Sequence, residues 1–418
     1  MENALLNKDL YNKLLTVSCR LLGLGSRFLL TFLLTKEISL EFQGEYTLMS
    51  TTVALLIILF GFDFYVYANR LLIKQKKNEV FFFKNSLVFY SFSYLLLLPF
   101  IWYTTKNFDV VDVGPFWILY FLIVFEHLGQ ELFRSYIALR KPLFANVLLL
   151  LRTGSWAGII VFGLVFIKDF QISIPGILEL WLLFAFITCV LGIAFYPNIK
   201  SFTRERIDFK WIKKGIGVGL TMFMSTICLK VIEYSDRYLI TFFLDKTELG
   251  IYALYFQLAN LINVIIFTMY ISFIYPDIIQ GVHEKSRDST LGAMKNIQRK
   301  TLFIVISYAL LSVVLIPIFL KYIGRSELYP NIPIFYILLT AFLFLNLNFS
   351  YHFAIIGFEK EALILKATFL ACVFNIFMNI LLIPLFGIYG AAVALLTGNF
   401  VLFLVKRKFG KNLMDQWR

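Results

Sequence analysis

The sequence predicts an all-α polytopic membrane protein: twelve transmembrane helices in two pseudo-symmetric six-helix lobes, with both termini cytoplasmic. Three observations predict it. Of 418 residues, 60% are hydrophobic and only 16% charged, against about 45–50% and about 25% in a soluble domain. The apolar residues fall into separate runs of about 20, the length that crosses the hydrocarbon layer. Lys and Arg gather on alternate connecting segments, as topology rules require of cytoplasmic loops. So few charges cannot coat a water-facing surface. That excludes an ordinary cytosolic enzyme, a secreted disulfide scaffold, a disordered chain and a nucleic-acid binder.

The first run, 10–34, follows a segment bearing both signs of charge, with no cleavage site. It is too long for a signal-peptide core, so it stays as helix one. The next five runs are 46–67, 86–103, 116–138, 144–167 and 176–196. The second half holds 217–244, 251–275, 302–320, 332–356, 363–385 and 388–405. The last two are joined only by Pro384-Leu385-Phe386-Gly387. Continuous runs, not alternating ones, exclude a barrel. With the N-terminus inside, the inside segments hold 28 Lys and Arg and the outside loops 6. This bias sets both ends in the cytoplasm. It also accounts for the net charge of +13 without an acidic partner. Every outside loop is short, and the longest loops, 197–214 and 276–300, are cytoplasmic. The expected organisation is an N-lobe over 1–200, a linker over 201–214, a C-lobe over 215–405 and a basic tail over 406–418. Cys19, Cys189, Cys228 and Cys372 lie unpaired in apolar runs and read as small core residues.

The two halves repeat each other. Arg27-Phe-Leu-Leu-Thr-Phe-Leu-Leu-Thr-Lys36 matches Arg237-Tyr-Leu-Ile-Thr-Phe-Phe-Leu-Asp-Lys246 at six of ten positions. Each is followed by Gly-x-Tyr-x-Leu, at Gly44, Tyr46, Leu48 and at Gly250, Tyr252, Leu254. Shared Leu and Phe come easily to two apolar runs, but matched Arg, Thr, Lys, Gly and Tyr do not. Parallel repeats of this kind are related by an axis along the membrane normal, with the working cavity expected between them.

A charge at the bilayer centre costs at least about 2.5–3.5 kcal/mol, so each needs a partner or a wet cavity. Helix one carries Arg20 and Arg27, seven residues apart and so on one face. Neither has an acid three or four residues away. Helix seven carries Lys230 and Arg237 at the same spacing. These four are the candidate substrate-binding residues, lining a cationic cavity suited to an anion; Arg matches phosphate through its planar fork. In helix seven a local ladder through Glu233 and Asp236 is the simpler account. Arg152, level with Glu131, reads as a structural ion pair. Glu126, Glu131 and Asp63 are candidate ion-coupling residues. Against that, His127 and Glu131 also make a plain i,i+4 pair, and Asp63 an interfacial acid. Gln257, Asn260, Asn263, Asn346, Asn348, His352, Asn375 and Asn379 read as interhelical hydrogen-bonding groups. No phosphate loop, zinc spacing or nucleophile elbow occurs, and three dispersed histidines make no metal centre. No enzyme activity, cofactor or metal is expected.

The stretch Ile355-Ile-Gly-Phe-Glu-Lys360 precedes Asn375-Ile-Phe-Met-Asn379-Ile-Leu-Leu-Ile-Pro384-Leu-Phe-Gly387-Ile-Tyr-Gly390-Ala-Ala392. It resembles the last helices of polysaccharide-exporting flippases. Asp236-Arg237-Tyr-Leu-Ile with Leu249-Gly250-Ile-Tyr252 resembles their helix-seven signature, and Phe42-Gln-Gly44-Glu-Tyr46 the segment after helix one. The whole chain is thus similar to Wzx-type O-antigen or capsule repeat-unit flippases, in the superfamily shared with multidrug antiporters and lipid II flippases. Lipid II flippases usually have fourteen helices, which sets that branch apart. The resemblance implies two lobes alternating between inward-open and outward-open states in a bacterial inner membrane. It implies an undecaprenyl-pyrophosphate-linked oligosaccharide as cargo, H+ or Na+ as coupling ion, membrane lipid around it, and a glycan polymerase and chain-length proteins as partners. Three rivals stand beside it, one of them a scaffold without transport, which would leave the paired lobes and buried charges without a purpose. A drug/ion antiporter of the same fold would prefer unpaired acids to an arginine stripe. A membrane glycan polymerase or ligase would carry a large external loop.

Overall fold

The computed structural model describes residues 2–74, 78–107 and 114–415, and every regular element among them is helical. In order these are α1 (Glu2–Leu33), α2 (Leu40–Gly61), α3 (Tyr65–Lys74), α4 (Glu79–Asn107), α5 (Phe116–Ala138), α6 (Pro142–Leu149), α7 (Trp156–Phe166) and α8 (Ile174–Ala194). Then follow α9 (Phe209–Phe243), α10 (Lys246–Ile266), α11 (Ser272–His283), α12 (Arg287–Ile323), α13 (Ile332–Gly357), α14 (Glu361–Phe386) and α15 (Ile388–Asp415). Eleven described helical segments are long and apolar enough to span a membrane, and twelve when the bent α9 counts as one span. Large apolar side chains stand open on them, among them Leu95 at 70% and Leu310 at 69% exposure. Such a surface suits lipid and not water.

Three local departures from the sequence expectation have physical causes. The second run does not continue to 67. It stops at Gly61, because Phe62 and Asp63 take left-handed conformations at φ 47° and 48°, which cost about 1–2 kcal/mol each. Phe64, fully buried, holds the break in place by stacking on Phe89 at 4.5 Å. The expected loop 276–300 is mostly helix: only a short turn at Glu284–Ser286 parts α11 from α12, closed by the Ser286 amide on the Gly281 carbonyl at 2.9 Å. The last helix runs past 405 to Asp415, burying Lys406, Gly410 and Met414.

The chain divides into two compact units. One comprises Met1–Leu33 and Leu48–Phe223, the other Leu34–Thr47 and Met224–Arg418. In the first unit an aromatic-rich core gathers Phe83, Leu132, Tyr136, Leu148 and Tyr196. In the second, α15 packs along both α13 and α14.

Residues 34–47 are fastened within the second unit. Arg325 donates through Nε to the Thr35 carbonyl at 2.5 Å and through Nη2 to that of Ile38 at 3.0 Å. Glu45 accepts from Lys246 Nζ at 2.7 Å. The repeat glycines meet here reciprocally. A Cβ on Gly44 would lie 1.9 Å from the Lys246 carbonyl oxygen, and one on Gly250 would lie 1.9 Å from that of Leu40. Each carbonyl belongs to the residue four before the other glycine, so backbone touches backbone. Small residues permit such approach between helices in lipid. Ala at either position must push the helices apart. Gly44→Ala and Gly250→Ala are each expected to cost about 1–3 kcal/mol, read as a lowered melting temperature of the purified protein, whereas Gly25→Ala, facing open space, should leave it unchanged.

Candidate functional site

In the first unit the helix after α6 widens into a π-helical stretch, Leu150–Ser155. Such bulges free backbone carbonyls. α1 reaches this stretch because glycine meets glycine: a Cβ on Gly154 would lie 2.6 Å from the Gly23 Cα. One turn along α1, half-buried Arg27 donates from Nε to the Thr153 carbonyl at 3.2 Å. Its guanidinium then lies over two indoles, 5.1 Å from the Trp181 ring and 5.6 Å from that of Trp156. These indoles stack on each other at 4.8 Å. Among the described residues no carboxylate pairs with Arg27. Arg20, two turns earlier, is exposed and likewise has no ion pair among them.

The acids of α5 are committed elsewhere. Buried Glu126 accepts from both Arg152 and the Trp181 indole N–H. Glu131 accepts from Arg134 at 2.5 Å and from the Tyr90 hydroxyl at 2.8 Å. Arg152 therefore pairs with Glu126, not with Glu131 as its depth had indicated: Arg134, i+3 to Glu131, already occupies that acid. His127 Nδ1 lies 2.6 Å from the Tyr94 hydroxyl, and its Nε2 lies 3.9 Å from Glu131. Asp63 sits half-buried in the left-handed break between α2 and α3.

In the second unit Lys230 pairs with Glu233 at 2.7 Å. That is one rung of the expected ladder. Arg237 lies between two rings, 4.7 Å from Tyr234 and 4.7 Å from Phe256. Asp236, fully buried, accepts from the Tyr252 hydroxyl and from the Arg237 amide. Beside them opens a pocket of about 370 Å³, lined by Lys230, Glu233, Phe256, Asn263, Thr268 and Asn399 among others. Its size falls in the range of small-molecule sites, about 300–1,000 Å³. Asn375 donates to the Ala394 carbonyl at 2.9 Å and accepts from Ser235 at 3.2 Å, so it is an interhelical tie.

The two repeat arginines thus share one kind of environment, a guanidinium against two aromatic rings: for Arg27 the stacked indole pair, for Arg237 Tyr234 and Phe256. Trp156, Trp181, Tyr234 and Phe256 were not singled out by sequence. With 18% aromatic residues, ring content carries no positional signal, and only the arginine spacing pointed to the place. No group of three or more His, Cys, Asp or Glu able to hold a metal occurs among the described residues.

Comparison with known proteins follows the same line. The sequence model of a family described as "Polysaccharide biosynthesis protein" matches residues 6–282. A membrane protein of Methanocaldococcus jannaschii, itself uncharacterised, is 24% identical over 268 residues, covering 62% of this chain. The chain spans about half, 52%, of the length of that relative. Among solved structures, an inward-facing multidrug resistance MATE family transporter of the MOP superfamily aligns with TM-score 0.74 at 13% identity, over 97% of this chain and 98% of its own. The lipid II flippase MurJ aligns with TM-score 0.67 at 15% identity, over 96% and 87%. A MOP superfamily transporter from Pyrococcus furiosus, its title noting a reversed polarity of the binding pocket, aligns with TM-score 0.59 at 13% identity, over 97% and 94%.

The committed acids make a stability prediction. Glu126→Ala or Arg152→Ala leaves an uncompensated buried charge and is expected to cost about 3–5 kcal/mol. The double substitution should cost less than the sum of the two. Thermal denaturation of the purified variants checks both statements.

Proposed function

The chain belongs to the polysaccharide biosynthesis protein family, and we propose that within it this protein is a flippase for lipid-linked oligosaccharides. The cargo of this reading is an undecaprenyl-pyrophosphate-linked repeat unit, carried from the inner to the outer leaflet of a bacterial cell membrane by alternating access. Both termini are then cytoplasmic, as the 28-to-6 distribution of cations favours.

One observation carries the proposal: Arg27 has a charge, a polar anchor on Thr153 and two aromatic faces, and no acid among the described residues. A diphosphate carries negative charge that cannot cross bare hydrocarbon. A guanidinium already desolvated on one face by indoles, with its remaining donors open, suits phosphate oxygens. The Arg20–Arg27 stripe is assigned to the diphosphate. Lys230 borders the pocket of the second unit, Arg237 lies against its lining residue Phe256, and Asn263, Thr268 and Asn399 there supply partners for sugar hydroxyls. The polyprenyl tail stays in lipid throughout. The antiporter alternative needs an acid free to exchange an ion, and Glu126 and Glu131 each hold an arginine.

Arg27→Ala and Arg20→Ala are expected to abolish surface glycan while the protein remains in the membrane. Lysine should divide the two positions. Exposed Arg20→Lys keeps most of the export, because only charge is needed there. Arg27→Lys loses most of it, because an ammonium has no planar face to lie on the indoles. Surface glycan at normal levels in both alanine variants would defeat the proposal.

A further inference from the structure

Lys406 is the most completely buried cation of the second unit that the proposed function does not use. It lies on α15 with 2% of its surface exposed. Its Nζ meets two groups, both on α13 and four residues apart: Asn348 Oδ1 at 3.0 Å and His352 Nδ1 at 3.3 Å. No acid is near. Along α15, positions 402, 403, 409 and 410 are Leu, Phe, Phe and Gly. Of the helices packed on α15, α13 brings only His352 and Tyr351 as titratable groups to this level, and Tyr351 packs on Gly410 and Phe403. The charged residues of α14 are Glu361 and Lys366, and those of α10 are Lys246 and Glu248 in its first turn. None of these four contacts Lys406 among the described interactions. The acid of its own helix, Asp415, pairs with Arg287 at 3.2 Å.

The donor arithmetic of the site admits both charge states. An ammonium has three N–H donors and no acceptor, whereas an amine has two N–H and a lone pair. The site offers Asn348 Oδ1 as an acceptor and His352 Nδ1 as an acceptor or, when that nitrogen carries the ring proton, a donor. It can therefore serve the ammonium through two of its N–H groups and the amine through one N–H and its lone pair. A cation shut away from water is expected to be paired or functional, and this one has no counter-ion among the described residues.

We propose that Lys406, with Asn348 and His352, is a proton-binding site that changes its charge during the working cycle. On release, an Nζ–H bond breaks and its proton bonds to His352 Nδ1. The imidazole then gives up its Nε2 proton to water, and the ring ends neutral. Uptake runs the same steps in reverse, so one proton and one positive charge enter or leave together. The site adjoins the pocket of the second unit. Asn399, which lines that pocket, lies seven residues before Lys406 on the same face of α15. Phe349, also in its lining, meets the His352 ring at 6.2 Å. A proton taken up at Lys406 thus adds a positive charge beside the pocket and favours an anionic cargo there. That last step rests on the flippase reading; the proton site does not.

The test is a proton titration of the purified full-length chain in detergent, from pH 9 to pH 6, for the wild type, Lys406→Arg and Lys406→Met. Arg stays charged throughout and Met stays neutral, so the wild type should take up about one proton per chain more than either. If Lys406→Met fails to fold, Lys406→Arg carries the test alone. Equal uptake by the wild type and Lys406→Arg would overturn the proposal. Binding of a polyprenyl diphosphate bearing an oligosaccharide, measured on the same samples, should strengthen more as pH falls in the wild type than in Lys406→Arg. If the wild type binds no polyprenyl diphosphate at any pH while the uptake difference persists, the flippase reading fails and the proton site stands.

Discussion

Charge in a hydrocarbon solvent must be accounted for residue by residue, and this constraint organises the whole structure. Among the buried and half-buried charges three solutions stand out. Glu126 with Arg152, Glu131 with Arg134 and Lys230 with Glu233 are ion pairs. Arg27 and Arg237 each rest against two aromatic rings. Lys406 is held by an amide oxygen and an imidazole nitrogen. Pairs end the matter locally, because each charge has consumed the other. Arg27 retains a charge that no described acid takes up, and on the proposed reading that is where an anionic cargo would gain most.

The backbone makes these arrangements available. Arg27 finds its carbonyl because the helix after α6 passes through a π-helical stretch, and it comes within reach because Gly23 meets Gly154. The Glu126–Arg152 pair then fixes the Trp181 indole, whose face carries Arg27. The pair therefore supports the arginine from behind, while the indoles cover one side of the guanidinium; on the proposed reading its other donors serve phosphate. The repeat reproduces the principle with different rings, Tyr234 and Phe256, around Arg237. Its glycines contribute separately, as the reciprocal contact of Gly44 and Gly250 joins α2 to α10.

The helical architecture was legible in the sequence, because hydrophobic run length follows from membrane thickness alone. So were the arginine stripes, since a charge inside an apolar run stands out against everything near it. What escaped has a common cause: it depends on which helices meet. The choice of Glu126 over Glu131 by Arg152 turns on Arg134 having taken Glu131 already. The break at Phe62 and Asp63 has no Pro and no sequence punctuation beyond Gly61; tertiary contacts of Phe64 impose it. Lys406 reads as the first residue of a basic tail, and only the close packing of α13 on α15 shows it to be interior. Aromatic partners of the arginines were invisible because rings occur throughout the chain.

The central claim is that the acid-free arginines of α1 hold a diphosphate. Native mass spectrometry of the full-length protein with a short polyprenyl diphosphate addresses it without any dependence on cellular export. The account predicts one bound diphosphate lipid in the wild type, its loss when Arg20 and Arg27 are both alanine, and no retention of the matching uncharged polyprenol. Equal occupancy by the diphosphate lipid in the wild type and the double variant would contradict it.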